Sequence, residues 1–370
     1  MQQVNSAISA ATWPVPPPPY LYSWGDNQYG QLGLGNRTNY SSPKQIGSLT
    51  TWSVIVNGSR HVIAVKTDGT LWTWGSGASG ALGLGNTTSY SSPKQVGSLT
   101  SWKTVSAKFQ SSFAIKTDGT LWSWGDNSQG QGGLGNITSY SSPKQVGVLT
   151  TWLSISGGTY HVLAIKTDGT LWTWGRNVDG QLGLGNITNY SSPKQIGALT
   201  TWATLSTGVS GYSSFVIKTN GTLWSWGWSN HGQLGLGNTT SYSSPKQVGS
   251  LTNWATISGA IYDVTSVKTD GTLWAWGWNS NGQLGLGNIT EYQSPKQVGA
   301  LTNWSSCDRG NPFIQSIKTD GTLWAWGFSP EGALGLGNTT TYSSPKQVGS
   351  LTSWLSVTCG AYFVTTQLKL

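Results

Sequence analysis

A single repeated unit dominates this chain. The segment KTDGTLWTWGSGASGALGLGNTTSYSSPKQVGSLT at residues 66–100 returns almost unchanged from residues 116, 166, 218, 268 and 318. The tetrapeptide SPKQ occurs seven times, at intervals of 50 residues except for one interval of 52. The two extra residues fall in STGVSGYSSF, just before residue 218. A fixed period of this kind indicates a repeat architecture in which neighbouring units bury a shared core.

Each unit is predicted to contain four short β-strands. The first two, TWSVIV and HVIAVKT, are rich in β-branched residues. Asp68-Gly69 joins the second strand to the third, TLWTWG, and predicts a type I′ hairpin in which both central residues have positive φ. Asn220-Gly221 replaces this pair in one unit. The fourth strand, PKQVG, follows a Gly-rich stretch, and helical periodicity is absent from the sequence.

The two ends of the chain complement each other. The repeats begin mid-unit at LYSWG and end after TSWLSVTCGAYFVTTQLKL, which contains only the first two strands of a unit. Together the fragments make one blade that closes a ring, which argues against an open β-solenoid with polar caps. We therefore predict an all-β fold, a seven-bladed β-propeller of four-stranded blades over residues 20–370, preceded by a Pro-rich N-terminal arm at residues 1–19.

Composition argues against several functional classes. Charged residues make up 9% of the chain and the net charge of +8 is dispersed, so no basic stripe indicates a specific nucleic-acid partner. No apolar run reaches the ~18 residues that cross a bilayer, so we expect no membrane insertion. The opening MQQVNSAISAATWPVPPPPY lacks the basic and apolar regions of a secretory signal. This favours a cytoplasmic protein, or a virion or surface component made in the cytoplasm.

The repeated residues are interpreted as scaffold. Twenty of the 23 Trp occupy three repeated positions, represented by Trp24, Trp52 and Trp72. Each buried Trp removes about 150–250 Å² from water, which favours packing between blades over sugar stacking. The Lys of each SPKQ, such as Lys44, is interpreted as edge protection of an outer strand. A basic ring that binds a polyanion is the alternative interpretation of these lysines.

The repeat also resembles a known one. GTYHVLAIKTDGTLWTWGRNVDGQLGLGN at residues 158–186 is similar to the repeat of the regulator of chromosome condensation family, which combines a Gly, a His, a small residue, DG, an aromatic residue, WG and GQLGLG. The resemblance extends over about residues 20–370 and implies a seven-bladed propeller. It implies no single activity, because the family includes a nucleotide exchange factor for a small GTPase, ubiquitin-ligase modules and a bacterial inhibitor of β-lactamases. This chain departs from the family in keeping the motif His only as His61 and His161.

Two stretches of each unit vary while the rest is nearly constant. One joins the first and second strands (NGSRH, KFQSS, GTYH, GVSGYSS, AIYD, DRGNPF, GAYF), and the other follows WG (DNQYG, SGASG, DNSQG, RNVDG, WSNHG, WNSNG, FSPEG). In a meandering sheet these two connections emerge at the same end of the strands, and KTDGT and GSLT emerge at the other. Both variable stretches are therefore predicted to lie on one face of the disc. Variable loops on a rigid scaffold indicate recognition.

The variable stretches carry a group of aromatic and charged residues. Trp228, Trp278 and Phe328 hold the same position in three consecutive units. By register, the other candidate ligand-binding residues near them are Tyr212, Tyr262, Phe313, Tyr362, Arg309, Asp308, Asp263 and Glu331. Aromatic residues with Arg among polar neighbours are typical of an interface hot spot. Stacking on sugar rings and covering of loop cores are the alternatives.

No catalytic arrangement can be assigned from the sequence. His61, His161 and His231 show no Ser-His-Asp spacing, metal-ligand cluster or convergent carboxylate pair, so we expect no enzyme activity, cofactor or metal. Nucleotide exchange is disfavoured because the sole insertion, of two residues, provides no protruding wedge.

Two functional hypotheses follow. The leading one is a non-enzymatic propeller that binds a protein or glycan through its variable face, as a virion attachment protein or bacterial surface protein. The alternative is a structural spacer or decoration of a larger assembly, docked through the Pro-rich arm. The sequence leaves the oligomeric state open.

Overall fold

A computed structural model describes residues 19–48, 51–207 and 211–369. The strands are named in chain order and fall into four groups by their place in a blade. The first strands are β3 Trp52–Asn57, β7 Trp102–Lys108, β11 Trp152–Gly157, β15 Trp202–Thr207, β19 Ser258–Gly259, β23 Trp304–Arg309 and β27 Trp354–Cys359. The second strands are β4 His61–Lys66, β8 Ser111–Lys116, β12 His161–Lys166, β16 Ser213–Lys218, β20 Asp263–Val267, β24 Phe313–Lys318 and β28 Phe363–Leu368.

The other two groups complete the blades. The third strands are β1 Tyr20–Gly25, β5 Leu71–Gly75, β9 Leu121–Gly125, β13 Leu171–Gly175, β17 Leu223–Gly227, β21 Leu273–Gly277 and β25 Leu323–Gly327. The fourth strands are β2 Tyr40–Gln45, β6 Tyr90–Gln95, β10 Tyr140–Gln145, β14 Tyr190–Gln195, β18 Tyr242–Gln247, β22 Tyr292–Gln297 and β26 Tyr342–Gln347. A 3₁₀ turn, Ala78–Gly80, lies between β5 and β6.

The seven sheets form a closed ring. Blades are numbered 1 to 7, beginning with the blade whose first strand is β3, and six of them have their strands in sequential order. Blade 7 has the order β2-β1-β28-β27, so its outer half comes from the start of the described chain and its inner half from the end. Tyr20 pairs with Leu368, and Gly25 pairs with Phe363. The first strands of neighbouring blades contact one another around the axis, including β27 with β3. The predicted seven-bladed propeller is confirmed.

In the described ranges the hydrophobic core lies between blades, in seven separate clusters. In one of them the Trp52 ring lies 6.1 Å from the Trp72 ring and 5.8 Å from the Trp74 ring. Trp74 is fully buried, and its Nε1 donates to the carbonyl oxygen of Gln31 in the preceding blade at 3.0 Å. The Lys66 ammonium lies 3.7 Å from the Trp72 ring centroid. These contacts repeat around the ring and agree with the scaffold interpretation of the Trp.

The hairpins between second and third strands are present, but the type I′ prediction is wrong. Gly69 has a φ of +77°, whereas Asp68 does not have positive φ. The Lys66 N–H donates to the Thr70 carbonyl oxygen at 3.0 Å, so three residues form the loop. The Asp68 carboxylate accepts hydrogen bonds from the Thr70 N–H at 2.9 Å and from its hydroxyl at 2.6 Å. The side chain of Asp68 thus stabilises a loop in which only the glycine is left-handed.

The fourth strand is longer than the predicted segment PKQVG. In blade 1 it begins at Tyr90, not at Pro93, because Tyr90 pairs with Gly75 beyond an irregularity in the register. It ends at Gln95. The Lys94 ammonium lies 5.6 Å from the Tyr90 ring centroid on this outer strand. Edge protection by these lysines stays a prediction.

The first strands are joined side to side by side-chain acceptors. Thr358 Oγ1 accepts the Asn57 N–H at 3.1 Å, which joins blade 7 to blade 1. Among the described residues, the side chain four places after the first-strand Trp makes the same kind of bond in at least three other blades: Ser106 with Gly157 at 3.2 Å, Ser206 with Gly259 at 3.3 Å, and Asp308 with Cys359 at 2.8 Å. These bonds hold the central ring that positions the loops.

Candidate functional site

The two variable loops of a blade lie against each other. The N–H of Trp228 donates to the Tyr212 carbonyl oxygen at 3.1 Å, and the N–H of Trp278 donates to the Tyr262 carbonyl oxygen at 2.9 Å. Equivalent bonds join Ser76 to Arg60, Arg176 to Tyr160 and Phe328 to Pro312. With the meander order of the strands, these bonds confirm that both kinds of loop share one end of the blades. We call this end the variable face.

Buried amide side chains fix the loop that follows WG. Asn27 Oδ1 accepts the N–H of Leu32 at 3.0 Å. Gln31 Oε1 accepts the N–H of Tyr29 at 2.9 Å, and its Nε2 donates to Asp26 at 2.8 Å. Both amides are fully buried. The loop backbone is therefore set by residues that recur between blades, and the variable side chains project from a fixed frame.

Five rings from blades 4 and 5 form one cluster, which we call the aromatic patch: Tyr212, Trp228, His231, Tyr262 and Trp278. Tyr262 lies at its centre, with its ring centroid 5.4 Å from Trp228, 5.5 Å from Trp278 and 5.0 Å from His231. Tyr212 contacts Trp228 at 6.2 Å. All five side chains are half-buried. Four of them were predicted site residues, and the structure brings those four together.

His231 is the member of the patch that sequence reasoning missed. Its ring touches Trp228, Tyr262 and Trp278, and its Nδ1 lies 3.3 Å from the Glu291 carboxylate of the next blade. The sequence signal was its place three residues after Trp228 in a variable loop. His231 was weighed there only as a catalytic residue.

Arg176 extends the patch toward blade 3. Its guanidinium carbon lies 4.8 Å from the Tyr212 ring centroid, and Nη1 donates to the Asp179 carboxylate at 2.9 Å. A guanidinium held over an aromatic face in this way adds a cation–π contact. Arg176 was also missed as a site residue.

Three further predicted residues lie on the variable face but outside the patch. Phe328 and Tyr362 are half-buried, and within the described residues no ring contact joins either of them to the patch. Glu331 is exposed, and its Oε2 accepts a hydrogen bond from the Asn39 amide of blade 7 at 2.6 Å. The predicted set therefore divides into a cluster in blades 4 and 5 and separate positions in blades 6 and 7.

Three of the candidate ligand-binding residues are buried, and their prediction is corrected. Phe313, Asp263 and Arg309 have relative exposures of 0%, 1% and 0%. Arg309 Nη2 lies 2.5 Å from Asp263 Oδ1, and Nη1 donates to the Thr265 hydroxyl at 2.6 Å. Burial raises the pKa of Asp263 to about 6, and the Arg309 charge opposes this rise. These side chains pack between blades because each lies on a strand with its side chain directed into the interface between two blades.

Asp308 is used inside the ring as well. It is half-buried, and its two carboxylate oxygens accept hydrogen bonds from the Ser258 hydroxyl and the Cys359 N–H, both at 2.8 Å. It therefore joins blades 5, 6 and 7 through their first strands. This role accounts for the polar residue at this position without a ligand.

The two other histidines are structural. His61 and His161 are buried, and each Nε2 lies within 3.0 Å of a serine hydroxyl in the next blade, Ser112 and Ser214 respectively. Burial lowers the pKa of His61 to about 4 and that of His161 to about 3, so both are neutral near pH 7. In the described ranges no three His, Cys, Asp or Glu side chains group as metal ligands, and no helix is long and apolar enough to cross a bilayer.

Comparison with known families identifies the fold's relatives. The model of the RCC1-like domain matches residues 20–248, and the regulator of chromosome condensation (RCC1) repeat matches residues 270–313 and 320–366. The chain belongs to the RCC1-like family. The search of curated protein sequences found no match.

Three solved structures are similar to this chain in fold. Human WBSCR16 superposes with a TM-score of 0.84 at 21% identity, covering 95% of this chain and 99% of that one. Prp20p from Saccharomyces cerevisiae has a TM-score of 0.83 at 20% identity, covering 95% of this chain and 92% of its own. Yeast RCC1 (Prp20) in a structure with Kap60 has a TM-score of 0.83 at 19% identity, covering 100% and 97%. At these identities the similarity shows the fold alone.

Proposed function

We propose that this RCC1-like propeller is a non-enzymatic recognition protein that binds a protein partner through the variable face. The observation that supports it most is the aromatic patch, in which two Trp, two Tyr and a His from two blades meet on the diversified loops. Trp, Tyr and Arg are the residues that most often dominate the binding energy of protein interfaces. Arg176 beside Tyr212 adds the third of these types.

The known partners of similar structures favour a protein over a glycan. The Prp20p structure is described with its binding properties to Gsp1p and histones, and yeast RCC1 (Prp20) has been solved bound to Kap60. The patch rings also pack against one another mostly edge to face. A sugar ring stacks on an open ring face, so this packing favours a protein surface that fills the gaps between rings.

A non-enzymatic role is supported by what the histidines do. His61 and His161 are neutral, buried and bonded to serines, and His231 belongs to the patch. Placement of the protein on a virion or a bacterial surface stays a prediction. The structural alternative depends on the Pro-rich arm, and residues 1–18 of that arm lie outside the described residues.

The test compares two double variants on the same face. Trp228→Ala with Trp278→Ala removes the patch, and Phe328→Ala with Tyr362→Ala removes two half-buried aromatics outside it. For the partner retained by immobilised wild-type protein and then purified, we expect the patch variant to raise the Kd at least ~30-fold, about 2 kcal/mol. The control variant should change the Kd by less than about threefold, since contacts outside a hot spot are nearly neutral.

The same variants separate the alternatives. Equal losses in both would contradict the patch as the main contact. Retention of a glycan on an array, lost only in the patch variant, would replace the protein partner by a sugar. Failure of assembly on deletion of residues 1–19, with the patch variant unaffected, would support the structural role.

A further inference from the structure

A cavity of about 240 Å³ opens on the variable face between blades 1 and 2, away from the aromatic patch in blades 4 and 5. Its lining includes Arg60, His61, Ser76, Phe109 and Gln110 from the variable loops, together with Ala81, which follows one of these loops, and Ala361 of blade 7. The volume lies below the roughly 300–1,000 Å³ of pockets that hold drug-sized ligands. A cavity of this size can hold one side chain of a partner.

The cavity exists because blade 1 lacks residues that fill this space elsewhere. Ala81 stands where five other blades have a buried Gln: Gln31, Gln131, Gln181, Gln233 and Gln283. Ser76 stands where blades 2 and 7 have Asp126 and Asp26, each of which accepts a hydrogen bond from that Gln. Blade 6 also has Ala, Ala333, but there the amide of Gln315 donates to its carbonyl oxygen at 3.0 Å. The combination of Ser76 with Ala81 is therefore particular to blade 1.

Backbone strain is concentrated at this cavity. Phe109 and Ser79 are the two non-glycine residues with positive φ in the described ranges, at +43° and +56°. Phe109 lines the cavity, and the Ser79 hydroxyl donates to the Gln110 carboxamide at 2.9 Å beside it. Strained non-glycine conformations cluster at binding and active sites. The strain and the missing side chains mark the same place independently.

The chemistry of the walls selects a carboxylate. Arg60 is the charged lining residue, and its guanidinium contacts the ring and hydroxyl of Tyr29, the latter at 3.2 Å. Among the described residues, Arg60 makes no ion pair. Gln110 Oε1 is occupied by Ser79, which leaves its amide hydrogens as donors. Within the described part of the chain no acidic residue lines the cavity, and burial lowers the pKa of His61 so that it is neutral near pH 7.

We propose that this cavity binds a glutamate or aspartate side chain of the protein partner. The Arg60 guanidinium, which leaves Tyr29 of blade 7 on binding, and the Gln110 amide donate to the carboxylate. Phe109, Ala81 and Ala361 line the space for the methylene stem. This inference rests on the proposed function, because the side chain belongs to the partner that the patch binds. It adds a second anchor across the same face, with a charge requirement that the patch does not impose.

The experiment measures the cavity directly, without the partner. N-acetyl-glutamate amide is titrated into the isotope-labelled full chain, and the backbone amide resonances of Phe109, Gln110 and Ser76 are followed. We expect saturable shifts at these residues and none at those of the patch. N-acetyl-glutamine amide should bind at least ~10-fold more weakly, the usual effect of a charge-assisted hydrogen bond.

Two variants introduce residues that other blades already have at the same positions, so we expect both variants to fold. Arg60→Tyr introduces the residue found at the same position as Tyr160, Tyr212, Tyr262 and Tyr362. Ala81→Gln fills the space as Gln31 does. Each should raise the Kd for the capped glutamate at least ~10-fold. Trp228→Ala with Trp278→Ala should leave it unchanged, so a failed patch and a failed cavity give different results.

Three outcomes would overturn the proposal. Equal binding of the capped glutamate and glutamine would show that the cavity does not distinguish a charged side chain from a neutral one. Saturation by inorganic phosphate at the same Kd would show a general anion site and not one for a side chain. Unchanged binding in Arg60→Tyr or Ala81→Gln would place the ligand elsewhere.

Discussion

At the scale of single residues, the repeats show which substitutions occur together. A Cβ on Gly58 would collide with the His61 ring, and one on Gly310 would collide with the Phe313 ring. Where the ring position holds a smaller residue, the glycine is replaced: Lys108 precedes Ser111, and Ala260 precedes Asp263. A ring at the start of the second strand therefore requires glycine three residues earlier.

The residue of the next blade that faces this ring also changes with it. His61 faces the Ser112 hydroxyl and His161 faces the Ser214 hydroxyl, whereas Phe313 shares its core cluster with Val364. A neutral buried imidazole needs a hydrogen-bond partner, and a phenyl ring needs an apolar one. The chain thus contains two solutions to one packing problem.

The buried His–Ser pairs predict a stability that depends on pH, and replacing them by Phe–Val pairs should remove this dependence. The pKa values of His61 and His161 fall from 6.5 to about 4 and about 3, because burial penalises the charged form. Below pH 6.5 the unfolded chain takes up protons that the folded chain does not, so the free energy of unfolding falls as pH drops toward 4. The expected loss is about 3 kcal/mol per histidine at pH 4.

The test is urea unfolding between pH 8 and 4. Converting both pairs to Phe and Val (His61→Phe, Ser112→Val, His161→Phe, Ser214→Val) should preserve stability at pH 8 and remove this part of the slope. Asp263 acts in the opposite direction, because its raised pKa of about 6 favours the folded state as pH falls from about 6 to 4, and it is unchanged in both proteins. Identical slopes in the two proteins would contradict the assignment.

At the scale of elements, the first strands depend on hydrogen bonds that cross from blade to blade. Thr358 Oγ1 accepts the Asn57 N–H at 3.1 Å, which joins the first strands of blades 7 and 1. In the same blade Thr365 is fully buried, and its hydroxyl has no hydrogen-bond partner among the described residues. Thr358, which is half-buried, and Thr365 therefore differ in whether the hydroxyl is used.

This contrast gives a matched pair of substitutions. Thr358→Val should lower the free energy of unfolding by about 1–2 kcal/mol, because it leaves the Asn57 N–H without an acceptor. Thr365→Val should be neutral or stabilising, since it removes an unpaired buried hydroxyl. Chemical denaturation of the two variants checks the pair, and an equal effect would show that the inter-blade bond contributes nothing.

Strands and blades could be predicted because their determinants are local. The β-branched runs and the Asp-Gly pairs placed the hairpins, and strand parity placed both variable loops on one face. The turn type was wrong because the Asp68 side chain, bonded to Thr70, sets the loop. Asp263 occupies the position of the buried His61, so comparison of the repeats contained the signal for its burial. His231 was missed because its ring neighbours Tyr262 and Trp278 come from the next blade.

At the scale of the whole molecule, the disc has two different faces. One carries the repeated hairpins, in which Asp68, Thr70 and Trp72 are linked by hydrogen bonds. The other carries the aromatic patch in blades 4 and 5 and the cavity between blades 1 and 2. Ring closure by β1 and β28 fixes these two sites on one rigid surface. We expect a single partner docked on the variable face to contact both sites.

The most direct test of recognition through the variable face is hydroxyl-radical footprinting of the complex with the purified partner. If the partner binds the variable face, we expect Tyr212, Trp228, Tyr262 and Trp278 to be protected from oxidation. The oxidation of Trp72 and its equivalents, on the face that carries the hairpins, should be unchanged. Protection confined to the hairpin face, with the patch rings as reactive as in the free propeller, would contradict recognition through the variable loops.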